Sequence, residues 1–336
     1  MNFIIQSVIE ILSCKNKNNC EIKVYNKNKS KVEQIKMKWW ACGPHTQTIL
    51  TYFKKTPKVK YNREFVYFTY KLLILDWITF PFHHNNKTVV IFPGIGGKSN
   101  DISVLHLAND LSTHYNVCVH QRSIDIISSS DNFDEIDFIV NHIGNMPILI
   151  GLSASGNMVL KYAGILKDKC KLTAVVAISN AVDLISVRTQ LSLDRKMDEF
   201  LYEKIDVKFQ QSSLVGLEKA MILAQNQKQN LYQHYVDNSS VNVLKDICVS
   251  TLYVGSRDDP IINNEQIDLV KRAAMKNERI TCVETSLGGH LGWMCFCDDH
   301  DKKMWWLSRT IHDYLAFGNK HFIHDEHKDS TLPILN

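Results

Sequence analysis

Apolar residues along this chain follow two alternating rhythms. Short runs at residues 88–92, 117–120, 148–152, 172–178, 248–254 and 280–285 are apolar or nearly so throughout. A strand covered by helices on both sides has no polar face, so each run predicts a buried strand. Between the runs, apolar residues recur at three- and four-residue steps, as in Val104, Leu107, Ala108 and Leu111, in Phe133, Ile136, Ile139, Val140 and Ile143, and in Met304, Leu307, Ile311 and Tyr314. That spacing predicts amphipathic helices. The alternation implies an α/β class with a mostly parallel central sheet and helices on both faces. Residues 64–70 and 71–76, rich in β-branched and aromatic side chains, predict an antiparallel pair feeding that sheet.

The rhythm breaks in two places. From 184 to 238 no strand pattern appears, and Leu191, Leu193, Met197, Phe200, Leu201 and Phe209 are scattered among polar residues, which predicts a helical cap inserted into the main unit. Before residue 37, a cluster at 1–13 has helical spacing but is too short to span a bilayer. Residues 15–36 are rich in lysine and asparagine and read as a solvated connector, with a short strand at 20–25. The expected organisation is an N-terminal extension at 1–36, a main domain at 37–318 carrying the cap at about 184–238, and a tail at 319–336.

Composition narrows the function classes. Hydrophobic residues make up 45% and charged residues 22%, enough for a sizeable core. The net charge of +4, from 39 basic and 35 acidic residues, is too near balance for a nucleic-acid partner. Nine cysteines lie without zinc spacing, which suits reduced thiols in a cytoplasmic protein; peripheral contact with a membrane stays open, as does the oligomeric state.

The candidate chemistry lies where runs end. The run at 148–152 passes directly into helical spacing at Val159, Tyr162 and Ala163, with Ser153 at the corner. Such a corner lifts a serine hydroxyl above the sheet and turns the next amide, that of Ala154, toward a developing oxyanion. The run at 88–92 ends in Pro93-Gly94-Ile95-Gly96-Gly97. A phosphate cradle ending Gly97-Lys98-Ser99 needs glycine at 92, which is Phe92; the loop instead suits a second oxyanion donor, the Ile95 N–H. Later run ends offer Asp258-Asp259-Pro260 and Gly288-Gly289-His290. Serine, carboxylate and histidine in that order make Ser153 the nucleophile, His290 the base and Asp259 the orienting acid, the following Pro260 favouring Asp259, with Asp258 as the alternative. This chemistry calls for no metal or organic cofactor. Trp39 and Trp40 read as core anchors, and His45, after a Gly-Pro turn, as a candidate brace for an active-site loop.

From about Trp39 to Tyr314 the chain resembles the type-4 branch of the AB-hydrolase superfamily. The likeness is carried by Pro44-His-Thr-Gln-Thr48, Leu75-Asp-Trp77, the Gly94 loop, the stretch from Gly151 to Tyr162, Ile178-Ser-Asn-Ala-Val-Asp-Leu184, Asp258-Asp-Pro260 and Gly288-Gly-His-Leu-Gly292. The resemblance implies an α/β-hydrolase fold with a helical cap, triad roles for Ser153, Asp259 and His290, and a small acyl ester or lipid as substrate. An acyltransferase using the same site, or a binding protein that keeps the fold without catalysis, are the alternatives. The chain departs from the family pattern at three points: Pro93 where bacterial relatives have histidine, Ser155 in place of an elbow glycine, and Arg122-Ser123 in place of Arg-Gly.

Overall fold

The computed structural model describes residues 19–36, 43–53, 55–69, 71–78, 87–121, 131–193, 231–293 and 304–318, with positions 198, 202 and 216. The expected helix at 1–13, the two tryptophan anchors, most of the cap between 194 and 230, and the tail from 319 lie outside the described residues.

Among the described residues ten strands form one sheet: β1 (Asn19–Asn26), β2 (Lys29–Lys36), β3 (Tyr61–Phe68), β4 (Lys71–Ile78), β5 (Thr88–Phe92), β6 (Asn116–Gln121), β7 (Ile148–Leu152), β8 (Ala174–Ile178), β9 (Ser250–Ser256) and β10 (Ile280–Thr285). Their order is β2-β1-β10-β9-β8-β7-β5-β6-β4-β3. The six strands from β10 to β6 run parallel, and an antiparallel hairpin closes each side. Helices are α1 (Pro44–Phe53), α2 (Ile102–Leu111), α3 (Asp131–Ile143), α4 (Ala154–Leu166), α5 (Leu184–Leu193), α6 (Leu231–Asn238), α7 (Asn264–Ala274) and α8 (Trp306–Phe317).

Side chains of one strand alternate between faces, and here both faces are covered. Val89 and Ile91 pack with α2 and α8, while Val90 and Phe92 pack with α3 and α4; Ile148 and Ile150 share the first layer and Leu149 the second. This two-sided burial explains why the central strands read as unbroken apolar runs.

One expectation is met in part and corrected in part. The short strand expected at 20–25 is β1, but residues 19–36 are not a solvated connector: they are β1 and β2, and β1 pairs antiparallel with β10 along Ile22–Tyr25 and Cys282–Thr285. Cys20, Ile22 and Val24 alternate inward and are buried, whereas β2, at the sheet's edge, is exposed or half-exposed along its length. Charged residues on an edge strand block further pairing, which is why this hairpin looks solvated in sequence.

On the opposite side, the carboxylate of Asp76 in β4 is buried. It receives Arg63 Nε at 2.8 Å and Nη2 at 2.9 Å, Ser99 Oγ at 2.6 Å and Gln121 Nε2 at 2.8 Å. Burial alone would raise its pKa, but the Arg63 guanidinium and the Ser99 and Gln121 donors outweigh it and hold the carboxyl below the usual aspartate range. Ser99 belongs to the turn that follows the glycine loop, so this cluster ties that loop to the sheet. A folded-state pKa below the unfolded one gives stability that is present above the unfolded pKa and lost as pH falls through the folded value. Asp76→Asn is therefore expected to lower unfolding stability by about 2 kcal/mol at neutral pH. In urea titrations the gap to wild type should close below about pH 4.

Candidate active site

Strand β7 ends at Leu152 and α4 begins at Ala154, so Ser153 makes the whole corner, with φ 52° and ψ −125°. A non-glycine residue in that region is strained and stays there only when its surroundings fix it. Its N–H donates to Ile178 O at 2.8 Å, and its C=O accepts Gly156 N–H at 2.9 Å. The corner leaves no space around it: a Cβ on Gly151 would lie 2.4 Å from Ser155 O, and one on Gly94 would lie 3.1 Å from Ser153 Cβ. Ser155, at the departure from the elbow pattern, is fully buried, and its hydroxyl donates to the carbonyl of Pro93, another departure. The two unusual residues are thus partners, joining the elbow to the glycine loop. That loop closes on itself through Gly97 N–H to Gly94 O at 3.0 Å, with Gly96 at φ 65°.

The histidine turn after β10 brings His290 over the corner. Its Nε2 lies 3.1 Å from Ser153 Oγ, and its Nδ1 lies 2.8 Å from Asp259 Oδ2. Asp259 is fixed in turn, because its Oδ1 accepts the N–H groups of Ile261 at 2.8 Å and Ile262 at 2.9 Å. It is Asp259, not Asp258, that reaches the imidazole. Asp258 Oδ1 instead accepts Gly289 N–H at 2.8 Å.

Sequence reasoning missed what holds this turn. Three successive amides are each taken by a different side chain: Gly289 by Asp258, His290 by Thr48 Oγ1 at 2.9 Å, and Leu291 by Ser179 Oγ at 3.3 Å. Thr48 lies on α1 and also donates to Pro44 O at 2.8 Å. The conspicuous member of that motif was His45, which is not among the cavity-lining residues, whereas Thr48 is. The only sequence signal for Thr48 was its place in the Pro44–Thr48 motif. The Asn157, Lys161 and Tyr162 positions of the elbow helix serve packing: Asn157 bonds Asn238 O and Ser240 N–H, Lys161 bonds Asn238, and Tyr162 bonds Asp137.

Ser153 and His290 open onto a cavity of about 450 Å³, with Ile95 and Ala154 beside them in its lining. Its apolar wall includes Ile102, Leu152, Val187, Leu191, Ile261 and Ile262, bringing α5 of the cap region against the segment after Asp259. This largely apolar wall ends at the half-buried Ser153. No group of three or more potential metal ligands occurs among the described residues. No helix among them is long and apolar enough to cross a membrane. Gly151→Ala, which forces a Cβ into the Ser155 carbonyl, is expected to destabilise the protein by about 3 kcal/mol, read as a lower urea midpoint.

No protein-family model matches the chain. Among curated proteins, mouse "Phospholipase ABHD3" is 23% identical over 303 residues, covering 76% of this chain and 72% of the relative. "Medium-chain fatty acid ethyl ester synthase/esterase 2" of Saccharomyces cerevisiae is 23% identical over 274 residues, covering 65% of this chain and 59% of that protein. Among solved structures, an esterase from Pyrococcus furiosus superposes with a TM-score of 0.54 at 13% identity, over 79% of this chain and 92% of its own. Likeness at this level reports architecture rather than a substrate: the chain has the α/β-hydrolase fold and is similar to members of the AB-hydrolase superfamily.

Proposed function

We propose that the protein is a serine hydrolase that cleaves carboxylic esters with apolar acyl chains through an acyl-enzyme on Ser153. The observation that carries this is the hydrogen-bonding succession from Ser153 Oγ to His290 to Asp259 at the end of an apolar cavity. Relatives named as a phospholipase and as an ester synthase/esterase support ester chemistry on an acyl substrate.

In this reading the substrate's acyl chain lies along Val187, Leu191 and Ile262, and its carbonyl carbon meets Ser153 Oγ. His290 Nε2 takes the hydroxyl proton as the Oγ–carbon bond forms, and Asp259 holds the ring by Nδ1–H and stabilises the imidazolium. The carbonyl oxygen gains the negative charge and is met by the N–H groups of Ile95 and Ala154. As the carbon–alkoxide bond breaks, His290 returns the proton to the departing alcohol. Water, deprotonated by the same imidazole, then attacks the acyl-enzyme and releases the carboxylic acid and Ser153. An alcohol in place of water gives acyl transfer instead.

A fluorophosphonate probe is expected to label wild-type protein and to leave Ser153→Ala unlabelled. Wild-type protein that stays unlabelled points to a binding protein with a hydrolase fold. Asp259→Asn is expected to lower kcat by about 10⁴-fold, because the amide favours the wrong imidazole tautomer. Across p-nitrophenyl esters, kcat/KM should rise at least tenfold from acetate to octanoate, given roughly 0.8 kcal/mol for each methylene buried. Equal rates along the series would contradict an acyl pocket.

A further inference from the structure

The two aspartates after β9 face different parts of one histidine turn. Asp259 meets the imidazole, while Asp258 faces the turn's backbone. Asp258 Oδ1 accepts Gly289 N–H at 2.8 Å and Ser256 Oγ–H at 2.5 Å. Its Oδ2 is shielded from water, and the Gly288 N–H also faces the carboxylate. A buried carboxylate is a costly acceptor for an amide, because a neutral asparagine satisfies the same N–H without a desolvated charge.

The charged groups around Asp258 do not neutralise it. On its own turn, Arg257 points away, to Asp268 at 2.7 Å and Glu284 at 2.5 Å. From β1, Cys20 faces it as a thiol pushed up by burial, with the Asp258 charge adding a little. From the acid loop the neighbour is Asp259, another carboxylate, in contact with His290. Burial pushes the Asp258 carboxyl up to about 6; the Ser256 and Gly289 bonds oppose this, and the Asp259 charge adds to it.

We propose that Asp258 is a positioning residue for His290, holding the Gly289 amide in the turn that carries the imidazole. The inference deepens the triad reading and rests on it for its meaning in catalysis. Gly289 sits at φ 61°, and a Cβ there would strike Pro44 O at 2.6 Å and Thr48 Oγ1 at 2.7 Å, so the turn is clamped between α1 and Asp258.

Two variants separate the parts of this role. Asp258→Asn keeps an acceptor for Gly289 and removes the charge; Asp258→Ala removes both. Asp258→Asn should reduce kcat by only about threefold at pH 8. Asp258→Ala should lose about 30-fold in kcat at nearly unchanged KM, a loss that the asparagine variant largely restores. Stability supplies the folding control. A carboxyl that binds its proton more readily when folded makes wild type more stable as pH falls from above 6 toward 4, a gain that Asp258→Asn lacks. Wild-type kcat in Asp258→Ala, or a loss in Asp258→Asn as large as in Asp258→Ala, overturns the proposal. Wild-type protein that stays unlabelled by a fluorophosphonate counts against the triad reading, whereas labelled wild type together with an undiminished kcat in Asp258→Ala counts against this inference alone.

Discussion

Three consecutive backbone amides, at Gly289, His290 and Leu291, cannot bond to one another in the turn they form, and each is satisfied by a side chain from elsewhere. Everything at the site depends on this arrangement. A buried amide without a partner costs on the order of 1–3 kcal/mol, so any alternative turn that frees these groups is disfavoured. The donors of the turn are matched by acceptors on α1, after β8 and after β9. Strands packed at fixed spacing hold those acceptors in place, and the sheet thereby aims an imidazole that belongs to none of its strands. The glycines on either side serve the same end: a Cβ on Gly292 would lie 2.1 Å from Gly288 O and 2.9 Å from Gln47 O.

The serine corner is solved by the opposite device. Where the histidine turn is held by polar side chains reaching in, Ser153 is held by close approach, with Gly94, Gly151 and Gly156 lacking the side chains that would push its neighbours apart. Ser155 adds a polar link at a position where the family pattern has glycine. Its hydroxyl bonds the Pro93 carbonyl and orients the peptide that leads into Gly94 and Ile95. A substitution that looks like damage in the sequence is therefore part of how this chain joins its elbow to the facing loop.

The sequence made the six central strands legible because two-sided burial leaves unbroken apolar runs, and it made α2, α3 and α8 legible because each carries one apolar stripe, whereas α1 at Pro44–Phe53 reads as a turn. The Ser153 corner was legible for a related reason: a buried strand meeting a helix without a spacer leaves few conformations for the residue between. Asp259 was separable from Asp258 through Pro260, and the Ile261 and Ile262 amides that clasp its carboxylate lie just beyond that proline. What stayed hidden were contacts between small polar residues far apart in the chain. Thr48 lies 242 positions from His290 and Ser179 lies 112 from Leu291, and neither residue type nor local period marks either one.

The N-terminal hairpin shows why composition misleads at a sheet edge. Without β1 and β2, the last strand β10 would present unpaired backbone groups at the base of the histidine turn. Pairing with β1 removes that edge, and the contact runs past the strand's end: Ser286 N–H donates to Glu21 O at 2.8 Å, and Glu21 N–H donates to Ser286 Oγ at 2.9 Å. Cys20 Sγ reaches Leu287 O at 3.3 Å. The exposed edge is passed outward to β2, whose lysines and glutamate are the signs of an edge kept from further pairing, and also the reason the segment reads as solvated chain. The most polar stretch of this sheet therefore has a structural task, which is to fix residues 286 and 287 so that the turn they begin starts from a rigid base.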